Sequence, residues 1–408
     1  FKIFSHRRTD GKDVTCAGVA VFNDLAVVSL PDEAQLLVVD LKDGKLAATV
    51  PMPAAKGMAF LPGGELLVIS EKKLRRFPAF DLATAAETLV PEKAQTLIGQ
   101  GLDDPQCLRV FGERIFVSDW GGSHQVKIFD PAGKPLAAIG KAGPPAVGAY
   151  DKHHMNHPAG CWLVAAASAT EAAFAGAPAG EPVLWVAEAD DRPKRLSVWT
   201  LDGRLLKAFY GPPGYGGGGF LDAADKTRFF YNGMEFRLDW EKGRSRLARV
   251  YARGPLPLPG GTPETPVVVG GRRYLVNTFT PGGVQAGPGF VSIYLYGDEQ
   301  QAQENLRPAA VVGTLASMRG WPPLAAPAIE SLCKGKNLLA WSDLNADGAV
   351  QAEECSVSDA AGSGDLMVDP SLRVSTGSGL FVVPTRFTAA GMPVYDLATL
   401  APAVEPKK

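Results

Sequence analysis

The stretch Ile115-Phe116-Val117-Ser118-Asp119, followed by Val126-Lys127-Ile128-Phe129-Asp130, decides the fold class of this 408-residue chain. Each half is a short run dominated by apolar residues that ends in an acidic residue, and polar residues separate the halves. Short runs rich in β-branched and aromatic residues, bounded by turn residues, are typical of β-strands. The stretch therefore predicts two neighbouring antiparallel strands.

The same strand-turn-strand signature recurs along the chain. Copies of one or both halves are Leu184 to Glu188 with Leu196 to Thr200, Leu67 to Glu71 with Phe80 and Asp81, Leu36 to Asp40, and Pro393 to Asp396. Repetition of one supersecondary unit indicates a repeat architecture.

Two further strands complete each predicted unit. A hairpin turn such as Asp43-Gly44 or Asp202-Gly203 leads to a third strand, because Gly accepts the positive φ of tight turns. An additional strand precedes each unit, as at Lys56 to Phe60, Pro105 to Val110 and Pro158 to Leu163. Four short antiparallel strands in each repeat of roughly 40 to 50 residues are typical of a β-propeller blade. We expect an all-β propeller of about seven blades, with six to eight possible; the alternative is a pair of β-sandwiches.

Three of these segments resemble NHL-type propeller repeats. They are Leu184-Trp185-Val186-Ala187-Glu188, Arg195-Leu196-Ser197-Val198-Trp199 and the turn Asp202-Gly203-Arg204, and the resemblance is best from Met58 to Phe209. It implies the fold and no particular activity, because such propellers include binding scaffolds and lyases.

Composition sets the remaining bounds. A net charge of −2 gives no field that would attract nucleic acid, and no apolar run reaches the roughly 18 residues of a membrane span. We interpret residues 163–182 as a low-complexity loop insertion in a single propeller domain, 1–408. Since the chain begins at Phe1, we expect a processed chain or a piece of a longer one with additional domains.

The segment from Asp343 to Glu354 fits the twelve-residue calcium-loop pattern D-x-[DN]-x-[DN]-G-x5-E at every position. Calcium prefers six to eight oxygen ligands, which this spacing supplies from alternate residues of a tight loop. The expected ligands are Asp343, Asn345, Asp347, the Ala349 carbonyl, Gln351 and Glu354. Gly348 allows the sharp turn, and Val350 should point inward.

This loop resembles those of EF-hand and dockerin-like proteins, but Leu338 to Trp341 before it is typical of a strand instead of a helix. Only one copy is present. We therefore expect a calcium ion that stabilises a late blade and is not a sensor; the alternative is an acidic surface turn.

Two of the five cysteines, Cys333 and Cys355, bracket the calcium loop. They are either a disulfide that stiffens the loop or two buried thiols. A structural calcium, together with such a disulfide, would suit a secreted or periplasmic protein.

Three of the five histidines lie in one segment, Asp151 to Pro158, directly before a predicted first strand. Aligning its Pro158 with Pro105 of the preceding repeat places Asp103 and Asp104 near His157, and the segment Tyr231 to Glu235 could lie at the same level. The candidate ligand-binding residues are Asp103, Asp104, His153, His154, His157, Asn232 and Glu235.

Imidazoles and carboxylates that converge can bind a transition metal or carry out acid/base catalysis. The catalytic candidates are therefore His157, Asp104 and His154. The competing interpretation is an exposed loop with hydrogen-bonded imidazoles. We interpret the acidic cluster from Glu188 to Arg192 as a solvated turn with a weak ion pair.

These features favour a calcium-stabilised, extracytoplasmic scaffold that binds carbohydrate or protein. The alternative is an enzyme of the same fold, a polysaccharide lyase or hydrolase with a His/Asp site. A third possibility is an intracellular assembly propeller.

Overall fold

The computed structural model describes residues 13–165, 174–177, 180–189, 192–211, 219–277, 289–297, 306–362 and 366–402. Strands, numbered here in chain order, dominate these residues. The chain divides into two compact units, residues 1–145 with 151–214 and residues 146–150 with 215–408, and each unit is described by itself.

The first unit contains four antiparallel sheets of four strands, and each sheet is made of strands consecutive along the chain. The first sheet is β1 (Gly18–Phe22), β2 (Leu25–Leu30), β3 (Gln35–Asp40) and β4 (Leu46–Pro51); the second is β5 (Met58–Phe60), β6 (Leu66–Ser70), β7 (Lys73–Phe77) and β8 (Gln95–Ile98); the third is β9 (Pro105–Phe111), β10 (Arg114–Asp119), β11 (Gln125–Phe129) and β12 (Pro135–Ile139); the fourth is β14 (Pro158–Ala165), β15 (Pro182–Glu188), β16 (Arg195–Thr200) and β17 (Leu205–Tyr210).

The first strands of successive sheets in the first unit lie next to each other, and serines of the second strands bond to carbonyls of the following sheet. The hydroxyl of Ser29 on β2 donates to the carbonyl of Lys56 at 2.8 Å. The hydroxyl of Ser118 on β10 donates to the carbonyl of Ala159 at 2.9 Å. The N–H of Gly57 donates to the carbonyl of Gln106 at 3.0 Å, and a Cβ at Gly57 would lie 2.7 Å from the Cα of Cys107. Glycine is therefore required at this close approach of two backbones.

The second unit contains sheets of five, six, four and two strands. The five-stranded sheet is β13 (Gly148–Ala149), β18 (Phe220–Leu221), β19 (Arg228–Tyr231), β20 (Met234–Asp239) and β21 (Arg244–Val250); the six-stranded sheet is β22 (Thr265–Val269), β23 (Arg272–Val276), β24 (Phe290–Tyr296), β25 (Leu306–Thr314), β26 (Leu338–Ser342) and β27 (Cys355–Ser358); the four-stranded sheet is β28 (Met367–Val368), β29 (Val374–Ser375), β30 (Leu380–Val382) and β33 (Ala401–Pro402); the two-stranded sheet is β31 (Pro384–Phe387) and β32 (Pro393–Tyr395).

Helices in the described residues are short. The α-helices are Ala85–Thr88 and Pro327–Cys333, and the 3₁₀ helices are Pro31–Glu33, Pro91–Lys93, Pro322–Ala325, Ala352–Glu354 and Leu397–Thr399. None of these is long and apolar enough to cross a membrane.

Buried apolar side chains fill the spaces between the sheets. Strand β6 is buried along its whole length, and Phe116 and Trp199 are among the largest fully buried side chains. In the six-stranded sheet, β24 and β26 are buried at every position. Strands buried on both faces read as continuous apolar runs, which is why the run Leu67 to Ile69 does not alternate.

The all-β fold class, with four-stranded antiparallel sheets of the propeller-blade type, is confirmed. Seven sheets of four or more strands occur in the described part of the chain, in agreement with the expected number of blades. The expected strands Leu36 to Asp40 and Leu338 to Trp341 are present, and the strand expected at Pro393 to Asp396 ends one residue earlier, at Tyr395.

The second strand expected at Phe80-Asp81 is wrong. The strand after β6 is Lys73–Phe77, and Glu71 and Lys72 form the turn between them at φ of 52° and 64°. A tight hairpin with two positive φ values usually contains Asn or Gly, so this turn gives no conventional signal in the sequence. Phe80 is instead a buried residue of the core beside β7.

The insertion 163–182 is shorter than expected, since Leu163 to Ala165 complete β14 and Pro182 begins β15. Residues 166–173 and 178–179 lie outside the described residues. Ala175 is buried, and the ring of Phe174 stacks on Phe209 with centroids 5.0 Å apart.

Candidate functional sites

The predicted calcium loop connects β26 to β27 in the six-stranded sheet. The backbone N–H of Asp343 donates to the carbonyl of Ala309 on β25, which attaches the start of the loop to the sheet. Ala346 and Gly348 adopt φ of 64° and 72°, and these values turn the chain sharply at the expected position. Val350 packs against the apolar cluster around Trp341, as predicted.

Asp343 has the environment expected of a metal ligand. Its side chain is 1% exposed, and Oδ2 accepts the N–H of Gly348 at 3.1 Å. Oδ1 is buried with no hydrogen-bond partner among the described residues, and so is Oε1 of Gln351. Burial raises the pKa of the Asp343 carboxyl, with Glu354 and Asp347 adding to the effect. Buried oxygens without donors are costly unless a cation satisfies them.

Glu354 closes the loop from its other end. Its Oε1 accepts the N–H of Leu344 at 2.8 Å, and its Oε2 accepts the indole N–H of Trp341 at 2.8 Å. The last residue of the loop is thereby held against β26, the strand that precedes the loop. Oε2 also accepts the N–H of Gln351 at 3.4 Å, whereas Oε1 retains a second lone pair through which Glu354 can act as a ligand.

Asp347 occupies the outer side of the loop. Its Oδ2 accepts the side-chain amides of Asn345 and Gln351, both at 2.9 Å, and its Oδ1 accepts the N–H of Ala349 at 2.7 Å. These bonds lower the pKa of Asp347, with the Ala349 N–H as the largest cause.

Space next to the loop gives access to it. A cavity of about 390 Å³ in the second unit is lined by Asp343, Ala346, Asp347 and Gly348, together with Arg253 and Arg307. In the described residues, no three His, Cys, Asp or Glu side chains form a group that could hold a metal ion. The loop would depend in addition on the amide oxygens of Asn345 and Gln351 and the carbonyl of Ala349, as calcium sites commonly do. The donor set fits calcium.

Cys333 and Cys355, which bracket the loop, are unbonded thiols in this structure. The thiol of Cys355 donates to the carbonyl of Gln351 at 3.3 Å, and burial raises its pKa to about 12. Both pack against the apolar cluster beneath the loop. The alternative of two partly buried thiols describes this arrangement.

The histidine segment is held by an ion pair that the sequence interpretation missed. Glu188 ends β15 and Arg195 begins β16, and their side chains are 1% and 0% exposed with Nε and Oε1 2.6 Å apart. The guanidinium also donates to the carbonyls of Lys152 at 2.6 Å and His154 at 2.9 Å, and Glu188 accepts the N–H of Asn156 at 2.8 Å. The interpretation of Glu188 as part of a solvated turn is wrong; Asp190 and Asp191 lie outside the described residues.

The three histidines have different surroundings. His153 is half-exposed with its ring 3.3 Å from the carboxylate of Asp151, whereas Nδ1 of His154 lies 3.0 Å from the carbonyl of Gly143. His157 has a φ of 50°, and its ring centroid lies 4.9 Å from that of Trp120 and 4.7 Å from that of His124. The segment therefore presents its imidazoles in three separate environments.

Asp103 and Asp104 have lysine partners. Nζ of Lys56 lies 2.6 Å from Asp104, and Nζ of Lys72 lies 3.2 Å from Asp103. The N–H of Gly122, followed by Lys72, lowers the pKa of Asp103. The carboxylate of Asp104 is thus paired with an ammonium group. This pairing disfavours the predicted catalytic site in which Asp104 acts together with His157.

Asn232 and Glu235 belong to the second unit and do not precede a first strand. Asn232, with a φ of 44°, and Gly233 form the turn between β19 and β20. Glu235 is fully buried, accepts the hydroxyl of Tyr296 and lies 3.2 Å from Nε of Arg237. Asn232-Gly233 is therefore a hairpin turn inside a sheet, and the expectation that Tyr231 to Glu235 lies at the level of Pro158 stays a prediction.

A surface on the first strands of the first unit was not predicted. A cavity of about 480 Å³ is lined by Val19 and Val21 of β1, Phe60 of β5, Arg109 of β9 and Trp162 of β14, among others. Val19, Val21 and Trp162 are 50%, 56% and 55% exposed, and the guanidinium of Arg109 lies 4.4 Å from the Trp162 ring centroid. The sequence contained one signal for this surface. In β1 and β14, residues at the outward-facing positions, such as Val19, Val21 and Trp162, are apolar where polar residues would be usual. An exposed aromatic ring beside a cation is suited to a sugar or a peptide.

No family model matches the chain, and no curated protein sequence matches it. Among solved structures, it is similar to a gluconolactonase from Xanthomonas campestris, at 16% identity over 70% of this chain and 84% of that one, with a TM-score of 0.35. It is also similar to virginiamycin B lyase from Staphylococcus aureus, at 11% identity over 68% and 80% of the two chains, with a TM-score of 0.31. A third similar structure is a nidogen/laminin complex, at 15% identity over 66% and 90%, with a TM-score of 0.29. The fold described above rests on the sheets themselves.

Proposed function

We propose that this chain is a calcium-stabilised, extracytoplasmic binding scaffold of the propeller class whose ligand is a carbohydrate or a protein. The observation that carries the proposal is the buried Oδ1 of Asp343 in a loop that already has the turn of a calcium site. NHL-type repeats, as the sequence resemblance implies, are common scaffolds for binding.

The role assigned to calcium is stabilisation. A cation bound only by the folded chain adds RT ln(1 + [L]/Kd) to the free energy of unfolding. The loop joins the buried strand β26 to the partly buried strand β27, so its order is coupled to the order of the six-stranded sheet. Millimolar calcium outside the cytoplasm would keep even a weak site filled, and this supports a secreted or periplasmic location.

Ligand binding is assigned to the surface around Trp162 and Arg109. The buried ion pair of Glu188 and Arg195 gives the backbone of the histidine segment a structural support, and Asp103 and Asp104 are paired with lysines. The lyase or hydrolase alternative needs a carboxylate or imidazole that is poised for proton transfer, and pairing of Asp104 with Lys56 does not favour it.

Two measurements test this function. Thermal unfolding in EDTA and in 5 mM calcium (on the order of extracellular levels) should differ for the wild type. The difference should be absent in Asp343→Ala and retained in Asp202→Ala, an exposed turn residue of the first unit.

An array of neutral and acidic oligosaccharides and extracellular proteins should then give at least one ligand that is bound without being cleaved. Cleavage of a polysaccharide by the wild type would establish the enzyme alternative instead.

A further inference from the structure

Cys107 and Cys161 lie beside each other in the first unit, although 54 positions separate them in the sequence. Cys107 is on β9 and Cys161 on β14, the first strands of two successive sheets, and their Sγ atoms are 3.9 Å apart. A disulfide needs an S–S distance of about 2.05 Å, which side-chain rotation and small backbone shifts can supply from such a contact.

The strands on either side of this pair are fixed. The hydroxyl of Ser118 donates to the carbonyl of Ala159 and accepts the N–H of Cys107 at 3.1 Å. Nε of Arg109 donates to the carbonyl of Cys161 at 3.2 Å. Ser118, on β10, thus joins β9 to β14 through its hydroxyl, and Arg109 joins the same two strands directly, so the backbones that carry the two cysteines are held side by side.

We propose that Cys107 and Cys161 form a reversible disulfide that joins the third and fourth sheets of the first unit when the chain meets a disulfide oxidant. The proposal goes beyond the binding function and does not depend on it.

The two thiols are unequal, and this gives the reaction a direction. Cys107 is half-buried whereas Cys161 is only 4% exposed, and the hydrogen bond from the Cys161 thiol, with help from Arg109, lowers the pKa of Cys107. Cys161 is buried among apolar side chains, and the same contact together with burial raises its pKa. The thiolate is the reactive form of cysteine, so Cys107 is the attacking residue.

The steps balance with a small disulfide such as oxidised glutathione as the oxidant. The Cys107 thiolate attacks one sulfur of the oxidant, forms a mixed disulfide and releases one glutathione thiolate, which takes up the Cys161 proton. The Cys161 sulfur then attacks Sγ of Cys107 and releases the second glutathione thiolate. Two protein thiols are oxidised and one glutathione disulfide is reduced to two thiols.

The experiment uses the full chain with Cys16→Ser, Cys333→Ser and Cys355→Ser, which leaves only this pair. After incubation with oxidised glutathione without denaturant, we expect loss of both thiols, no retained glutathione and one disulfide-linked peptide pair in the non-reducing digest. The melting temperature should rise by about 5 °C and return on reduction, because the cross-link closes a long loop.

Single variants in the same background separate the two roles. Cys161→Ser should retain one glutathione on Cys107, whereas Cys107→Ser should keep Cys161 as a free thiol. The proposal is overturned if both thiols stay free, or if each retains its own glutathione. If the triple variant does not fold, the wild-type chain is oxidised and its disulfide-linked peptides are mapped in the same way. Disulfides that do not link Cys107 to Cys161 would contradict the proposal.

Discussion

Glu188 and Arg195 form an ion pair that is buried on both sides and holds the backbone of the histidine segment at three points. Asp119, at the end of β10, has the corresponding role one sheet earlier. It accepts the N–H groups of Asp103 and Asp104 and pairs with Lys127 of β11 at 2.5 Å. The acidic residue that ends the repeated strand is therefore a structural device that fixes the loop before the first strand of its own sheet.

Removing one partner of the Glu188–Arg195 pair should be strongly destabilising. Arg195→Met leaves the Glu188 carboxylate buried without its cation, a change that typically costs about 3–5 kcal/mol. Urea unfolding should show this loss in the first unit. Asp24→Asn breaks an exposed pair with Lys42 and should leave the free energy of unfolding nearly unchanged. Equal effects of the two variants would contradict the structural role of the buried pair.

The acid stability of the calcium-free chain should depend on Asp343. Its pKa in the folded state is raised, so between its unfolded and folded pKa values the folded state binds more protons. Its contribution to the free energy of unfolding therefore falls as pH rises through that interval, starting near pH 4. Urea unfolding in EDTA from pH 4 to 7 should show a wild-type advantage over Asp343→Asn that shrinks with rising pH; an advantage that grows would contradict the raised pKa.

Trp341 should support calcium binding without contacting the ion. Its indole N–H orients the carboxylate of Glu354, and loss of such a supporting bond typically lowers metal affinity by about tenfold or more. Trp341→Phe keeps most of the buried ring and removes the donor. Trp240→Phe, at an exposed tryptophan of the same unit, is the matched control and should leave calcium affinity unchanged. Calcium titration of both variants makes the comparison.

Trp162 should contribute to ligand binding. Once a ligand has been identified, Trp162→Ala should weaken it by about tenfold or more, since exposed aromatic anchors dominate binding energy. Trp240→Ala removes another exposed ring, in the second unit, and should have no effect on ligand binding. If both variants bind like the wild type, the surface around Trp162 is not the ligand site.

The fold class was predictable because short apolar runs and Gly-containing turns are local signals. The sharp turn of the loop from Asp343 to Glu354 was predictable for a similar reason, since the pattern that predicts it lies within twelve consecutive residues. The turn at Glu71 and Lys72 was not, because neither residue is typical of a hairpin with positive φ.

Contacts between distant segments were the part that the sequence could not provide. Glu188 looks like a member of an exposed charged turn, and Arg195 like the start of a strand, until the contacts of β15 and β16 with the histidine segment are known. Cys107 and Cys161 become neighbours only when two first strands are placed together, whereas the sequence drew attention to Cys333 and Cys355 through their proximity to a motif.

Calcium titration by calorimetry tests the central claim most directly. We expect the wild-type chain to bind one calcium ion at the Asp343–Glu354 loop, with a raised melting temperature in the same samples, and Asp343→Asn to lose the binding isotherm while remaining folded. Failure of the wild type to bind calcium at millimolar concentration, or an unchanged isotherm in Asp343→Asn, would contradict the claim.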